Sequence, residues 1–519
     1  MRRTNVDSTS YMIGIDIGTT STKAVLYDIN GGMVSAAHAH YPLYTPEVAA
    51  AEQNPDEILQ AVLETTAQLM REHVTSTKQI KFVSFSAAMH SVIPIDSNGN
   101  PLMNALTWAD NRSEPYTKLL LEGNGHELYQ RTGTPIHSMA PLSKLIWLRA
   151  ERPLIFHAAY KFISIKEYIW AKLFSSYEVD YSIASCTGLM NIQHLKWDTA
   201  AMKETEINES KLSKIVPTTY YRKGAALQYT NLMGLSPETI FVIGANDGVL
   251  SNLGLNAMSS GEVAVTIGTS GAIRTVVDQP VLDPKGRTFC YVLTDKHYVI
   301  GGPVNNGGHI LRWMRDELAS AEVETAKRLG INPYDLISQI CSQVPPGSEG
   351  LLFHPYLAGE RAPLWNSNAR ASFFGLGLHH HKEHMLRAAM EGVIFNLYSV
   401  MLAMQKQIGT PAIIKATGGF ASSALWRQML ADIFDQTVSI PAHHESSCMG
   451  ACILGLNALG LIEDLQHASL FTGQSHQYDP DPQSTQIYKQ LLPIFLSISS
   501  KLGPEYEAIS QFQRQFTSC

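Results

Sequence analysis

The stretch YMIGIDIGTTSTKAVLYD, Tyr11–Asp28, decides the fold. It reads as a strand over Tyr11–Ile17, a turn of glycine and hydroxyl side chains over Gly18–Thr22, and a second strand over Lys23–Asp28, followed by the turn Asn30-Gly31-Gly32. The pattern returns around Glu262–Val276, where VAVTIGTSGAIRTVV again sets an Ile-Gly-Thr triplet between two β-rich runs. Ile17-Gly18-Thr19 and Ile267-Gly268-Thr269 stand about half the chain apart, which hints at duplication of one unit.

Working outward, a helical run follows over Pro55–His73, with apolar Ile58, Ala61, Val62 and Leu69 on one face. Strands are expected at Phe82–Ser86 and Thr239–Ala245, the latter ending in Asn246-Asp247-Gly248. The second half offers a strand near Tyr298–Gly302, a long helix over His384–Gln407 and a strand over Ile413–Thr417. Strands alternating with helices indicate α/β layering. With 519 residues, two domains are expected, with a cleft between them. The small, polar segment GLNAMSSG is the natural linker, so residues 1–10 form a leader, 11–256 a first domain and 257–519 a second.

Composition narrows the function. Hydrophobic residues are 45% and charged residues 16%, as in folded proteins, and the net charge of -7 argues against a nucleic-acid partner. The six cysteines are thinly spread, without a disulfide framework or paired CxxC motifs, and Cys448 and Cys452 read as packing one helical turn apart. The basic start MRRTNVDSTS runs into YMIGIDIG and not into an apolar signal core, and no apolar stretch is read as membrane-spanning. A cytoplasmic protein acting on a small molecule is expected; a homodimer stays open.

Four segments carry candidate chemistry. In DIGTTSTK, Gly18 lets the backbone approach a ligand closely, the hydroxyls of Thr19, Thr20, Ser21 and Thr22 suit phosphate oxygens, and Asp16 can position Mg²⁺ through water. IGTSG repeats the device at Gly268 and Thr269, so two hairpins can grip a polyphosphate from opposite sides. TGGFASSALWRQMLAD ends a strand at Gly418-Gly419 and lets Ser422 or Ser423 cap a helix, whose free N–H groups favour an anion. Asp247 ends a strand where ligands bind in α/β sheets, although Asp-Gly alone is a strong turn signal. His379–His381 with His384 lacks HExxH spacing or cysteine partners and reads as a solvated loop and helix start.

Together with MAPLSKLIWL (Met139–Leu148) and GERAPLWNSNARASFFGL (Gly359–Leu376), these segments, in this order, resemble the FGGY carbohydrate kinases over roughly Tyr11 to Gly460. The first of these two usually ends in an acidic or amide residue where this chain has Ala150. The resemblance implies two domains of the actin-like, ribonuclease-H-like α/β fold, with ATP, Mg²⁺ and a sugar or sugar acid in the cleft. It implies a catalytic base at Asp247 and sugar contacts at Met89, His90, Trp108, Asp110 and Arg112. It implies nucleotide contacts at Gly18, Thr19, Thr20, Lys23, Gly268, Thr269, Asn306, Gly307, Gly418, Gly419 and Ser422, with Asp16 on the metal side. SAAMHS, TWADNRS, SCTGLMNI and GANDGVLSNLG are most similar to the gluconate-phosphorylating members. A gluconate site needs a cation for the carboxylate, for which Arg112, Lys144, His90 and His137 are all open. The rival readings are a kinase for xylulose or another polyol, and a nucleotide-switched ATPase of the actin and chaperone type.

Overall fold

The structure, a computed structural model, describes residues 10–441, 445–473 and 475–516; all of the expected leader but Ser10 lies outside them. Two mixed sheets organise the chain. The first contains β1 (Tyr11–Ile17), β2 (Ser21–Asp28), β3 (Met33–His40), β4 (Ile80–Ala87), β5 (Tyr221–Arg222) and β6 (Ile240–Asn246), in the order β5-β6-β4-β1-β2-β3. The second contains β7 (Glu262–Ile267), β8 (Gly271–Val277), β9 (Phe289–Thr294), β10 (His297–Val304), β11 (Ile413–Thr417), β12 (Val438–Pro441) and β13 (Ser475–Tyr478), in the order β9-β10-β8-β7-β11-β12-β13.

Apart from β9, an extra edge strand that pairs with β10, the sheets share one topology. In each, three antiparallel strands (β1-β2-β3; β7-β8-β10) are joined by two parallel ones (β4 and β6; β11 and β12), with an antiparallel strand beyond (β5; β13). The Ile-Gly-Thr triplets occupy the same place, the turn between the first two strands. The hint of duplication is therefore a structural repeat, and the fold is the expected two-domain, actin-like α/β arrangement. β1 is mostly buried because it runs through the middle of its sheet, whereas β3, with an antiparallel partner on one side only, alternates towards solvent.

The helices follow local signals. α1 (Pro55–His73) starts where the Asn54 side chain accepts from the Asp56 N–H and Pro55 occupies the first turn, and its apolar face covers β2 and β3. Asn246-Asp247-Gly248, which alone signals a turn, instead opens α2 (Asp247–Gly254): the Asn246 side chain caps the Val249 N–H, and the run after it continues as helix. α3 (Lys382–Ile408) is long and apolar enough to cross a membrane by length and composition, contrary to the reading of the sequence, yet 83% of its apolar window is buried in the second domain. His381 and His384 sit at its start, as expected of that histidine run, although His384 is buried and not solvated.

The boundary drawn at residue 256 divides the chain more cleanly than it divides the core. α5 (Ser446–Ala458), which follows α4 (Ala424–Phe434), returns from the second half to pack on β1 and β4 and against α2. The approach depends on glycine: a Cβ on Gly254 would overlap the Ser446 carbonyl, and one on Gly450 the Leu250 carbonyl. Met12, Phe82, Val249 and Leu250 thus share one apolar cluster with Cys448, Cys452, Ile453 and Leu454. Both cysteines are fully packed there, and each such side chain contributes on the order of 1–3 kcal/mol of burial.

Candidate active site

A cavity of about 360 Å³ opens between the two sheets, lined from both halves of the chain. Met89, His90 and Trp108 line one side, Gly268, Thr269, Arg274 and Gly418 the other, with Thr19 and Asp247 between.

Asp247 occupies the first turn of α2 at the carboxyl end of β6, so its place follows from strand and cap together. Its Oδ1 accepts from the Gly248 N–H at 2.8 Å. Burial is the main reason its pKa rises to about 6, with the neighbouring Asp16 adding to it and the Arg274 guanidinium opposing it. Asp16, on β1, accepts from Ser86 Oγ at 2.6 Å, and burial raises its pKa too, against the pull of Ser86 and Lys23. Two desolvated carboxylates therefore stand close together, a cluster that marks functional sites.

The glycine turns are built for close backbone approach. Gly18 N donates to Ser21 O at 3.1 Å, and Gly268 N donates to Ser270 O at 2.9 Å. Gly418 holds φ at +113°, where a Cβ would overlap the Ile267 carbonyl, and this brings the end of β11 against the second hairpin. Thr19 accepts from Trp108 Nε1 at 2.8 Å, which ties the first hairpin to the Trp108 loop.

Several expected contacts stand elsewhere. Asp110 and Arg112 do not line the cavity: Asp110 is 1% exposed and accepts from the Ala51 N–H at 3.0 Å, while Arg112 reaches Glu47, Glu52 and Asp110 at 2.6 Å each and lies over the Trp147 ring. Both are consumed in holding the loop that presents Trp108. Lys23 pairs with Glu445 across the two halves. Asn306 is buried with its amide on Gly359 O and Glu360, and Gly307 packs behind Ser270. Thr20, Gly419 and Ser422 lie beside the turns and outside the cavity lining; Thr20 and Ser422 are exposed.

Of the four cations open for a carboxylate, three carry little or no charge at neutral pH or are already engaged in the protein. His90 Nδ1 is 2.8 Å from Cys186 O, and burial pushes its pKa well below the usual value. Burial also lowers His137 to about 3 and Lys144 to about 7, and Lys144 donates to the carbonyls of His90 and Met139. Arg112, the fourth, is the one held among three acids. Two further arginines, not foreseen, do line the cavity: Arg274 on β8, donating to Thr266 Oγ1 at 3.3 Å, and Arg361, whose guanidinium lies 4.8 Å over the Trp108 ring. Their only sequence signal is a basic residue inside an otherwise apolar strand, AIRTVV, and one inside the quoted GERAPLW segment.

Two carboxylates, two glycine-threonine hairpins and a cleft between duplicated domains form an arrangement suited to phosphoryl transfer, and comparison with known proteins shows the family. Residues 11–254 match the FGGY family of carbohydrate kinases, N-terminal domain, and residues 263–459 match its C-terminal domain. A gluconokinase of Bacillus subtilis (strain 168) is 57% identical over 508 residues, covering 98% of this chain and 99% of that one. A gluconate kinase from Lactobacillus acidophilus superposes with a TM-score of 0.91 at 38% identity, covering 96% of this chain and 99% of that one. A ligand-bound xylulose kinase from the same organism gives the same TM-score of 0.91 and 38% identity, with 96% and 100% coverage. With both domain matches falling on the two repeated sheets and the cavity between them, this chain belongs to the FGGY family of carbohydrate kinases.

Proposed function

We propose that this kinase transfers the γ-phosphoryl of ATP to the terminal hydroxyl of D-gluconate, yielding 6-phospho-D-gluconate, with Asp247 as the base. The observation that carries the reading is Asp247: a buried carboxylate, raised to about 6, facing a cavity that both domains line. At neutral pH it is ionised and a stronger base than an exposed aspartate. Gluconate is favoured over xylulose by the 57% identity to a gluconokinase along nearly the whole chain.

In this scheme the hairpins at Gly18-Thr19 and Gly268-Thr269, with Gly418, receive the nucleotide's phosphates. The donor set suits a magnesium ion carried by the nucleotide: among the described residues no cluster of three metal-ligating side chains exists, and Asp16 offers one buried carboxylate. When bound there, the ion would neutralise phosphate charge. Phosphoryl transfer has a loose transition state, so Asp247 first orients the hydroxyl and takes its proton late. Arg274, beside Asp247, offsets negative charge as it accumulates. Movement between residues 11–256 and 257–519 about the linker would close the cleft and exclude water. The working compartment is the cytoplasm.

A coupled ADP-release assay across gluconate, xylulose, glycerol and ribulose tests the proposal. Gluconate should give the highest kcat/KM. Preference for xylulose would replace the acceptor, and acceptor-independent ATP hydrolysis at full rate would replace the kinase reading with that of a nucleotide switch.

A further inference from the structure

We propose that Arg361 is the receptor of the acceptor's carboxylate, the group that separates a sugar acid from a neutral polyol; this rests on the gluconate reading above. The starting point is an electrostatic imbalance. Arg361 is 8% exposed and lines the cavity, and among the described residues no acid lies within ion-pair distance of its guanidinium. Glu360, next to it in sequence, is turned away: its oxygens accept from the Asn305 N–H at 2.5 Å, Asn306 Nδ2 at 2.8 Å, Asn396 Nδ2 at 2.7 Å and the Arg361 N–H at 2.8 Å.

A buried guanidinium with no acid in direct contact, Glu360 and Asp247 acting on it only from beyond ion-pair distance, is costly, and an anion that enters recovers the cost. Burial lowers Arg361 to about 10, which leaves it charged at neutral pH. Its orientation is fixed before any ligand arrives. Nη2 donates to Val304 O at 3.1 Å, the plane rests over Trp108 at 4.8 Å, and Nε is buried with no partner. A guanidinium held in this way offers its remaining N–H groups as a fork to the two oxygens of a carboxylate.

Position distinguishes Arg361 from Arg274. Arg274 bonds Thr266, beside the second hairpin, and Asp247 is the charge that offsets its burial, which puts it where phosphate charge moves. Arg361 is felt by His90, His137 and Tyr291 and its plane covers the Trp108 ring, which puts it on the side of the cavity that those histidines and Trp108 form. In gluconate the carboxylate is at the opposite end from the hydroxyl that accepts phosphate, so one end meets Asp247 while the other meets Arg361.

The test compares full-length wild type with Arg361→Gln and Arg361→Lys, using gluconate and D-glucitol, its uncharged counterpart, as acceptors, with ADP affinity by calorimetry as the check on folding. Arg361→Gln should raise the gluconate KM roughly 100-fold and shrink the preference for gluconate over glucitol by at least about tenfold. Arg361→Lys, which keeps the charge and loses the fork, should fall between. A gluconate KM within about threefold of wild type in both variants overturns the proposal, as does an equal loss for the two acceptors. Should the glutamine variant not fold, a lysine variant with wild-type gluconate KM overturns it alone. Wild type that ignores gluconate would sink the acceptor reading and this inference together; normal wild-type turnover with unaffected variants sinks only the inference.

Discussion

Replacing Asp247 with Asn removes one buried charge and nearly nothing else, since Asn Oδ1 can still accept from the Gly248 N–H. In the folded protein Asp247 ionises near 6 against an ordinary 3.8, mainly through burial. The difference corresponds to about 3 kcal/mol held against folding when the group is charged. The sign follows from linkage: the unfolded chain releases the proton near 4, the folded one only near 6, so the cost is absent below about pH 4, grows from there to about 6, and is constant above. Asp247→Asn should therefore match wild type in stability at pH 4 and exceed it by about 3 kcal/mol at pH 8, read by urea unfolding at both values. Activity moves the other way. The variant should lose roughly 10²–10⁴-fold in kcat while ATP affinity changes little, and wild-type kcat/KM should fall as pH drops through about 6. Normal turnover in the variant would refute the base. Equal stability at pH 8 would refute the desolvated charge from which its strength was argued.

Other expectations separate scaffold from ligand contact. Arg112→Met leaves Asp110 and Glu52 buried without their cation, so it should cost about 3–5 kcal/mol in denaturant unfolding; it should also weaken gluconate and glucitol equally, because its effect passes through the Trp108 loop. Gly418→Ala places a Cβ against the Ile267 carbonyl at φ +113°, and should raise the ATP KM by about tenfold or more with a smaller change in the acceptor KM, read by initial rates.

Which parts of this site a reader of the sequence could see depends on how local the cause is. The two hairpins are local: alternating apolar residues on either side of Gly-Thr specify strand, turn and strand without help from the rest of the chain, and the observed β1-β2 and β7-β8 pairs lie where the pattern puts them. α1 and α3 are local in the same sense. Asp247 is an intermediate case. Asp-Gly favours a turn, and only the Asn246 cap acting on the run after it makes the same residues a helix start. The return of α5 onto the first sheet has no local cause, since it depends on glycines in α2 and α5, Gly254 and Gly450, meeting although they stand far apart in the chain.

The arginines are the extreme case. Arg112 and Arg361 are the same residue type in similarly polar segments, and a count of cations ranks them alike. Glu47 and Glu52 lie far back along the chain from Arg112 and consume its charge; Trp108, at a still greater separation, gives Arg361 a face to rest on but no anion. What decides whether a buried guanidinium is scaffold or receptor is the number of acids folded around it, a property of the tertiary structure alone. In this chain the two arginines divide along that line: Arg112 is neutralised by Glu47, Glu52 and Asp110 and holds the Trp108 loop, whereas Arg361 has no acid in contact among the described residues and, on the proposal above, takes one from the substrate.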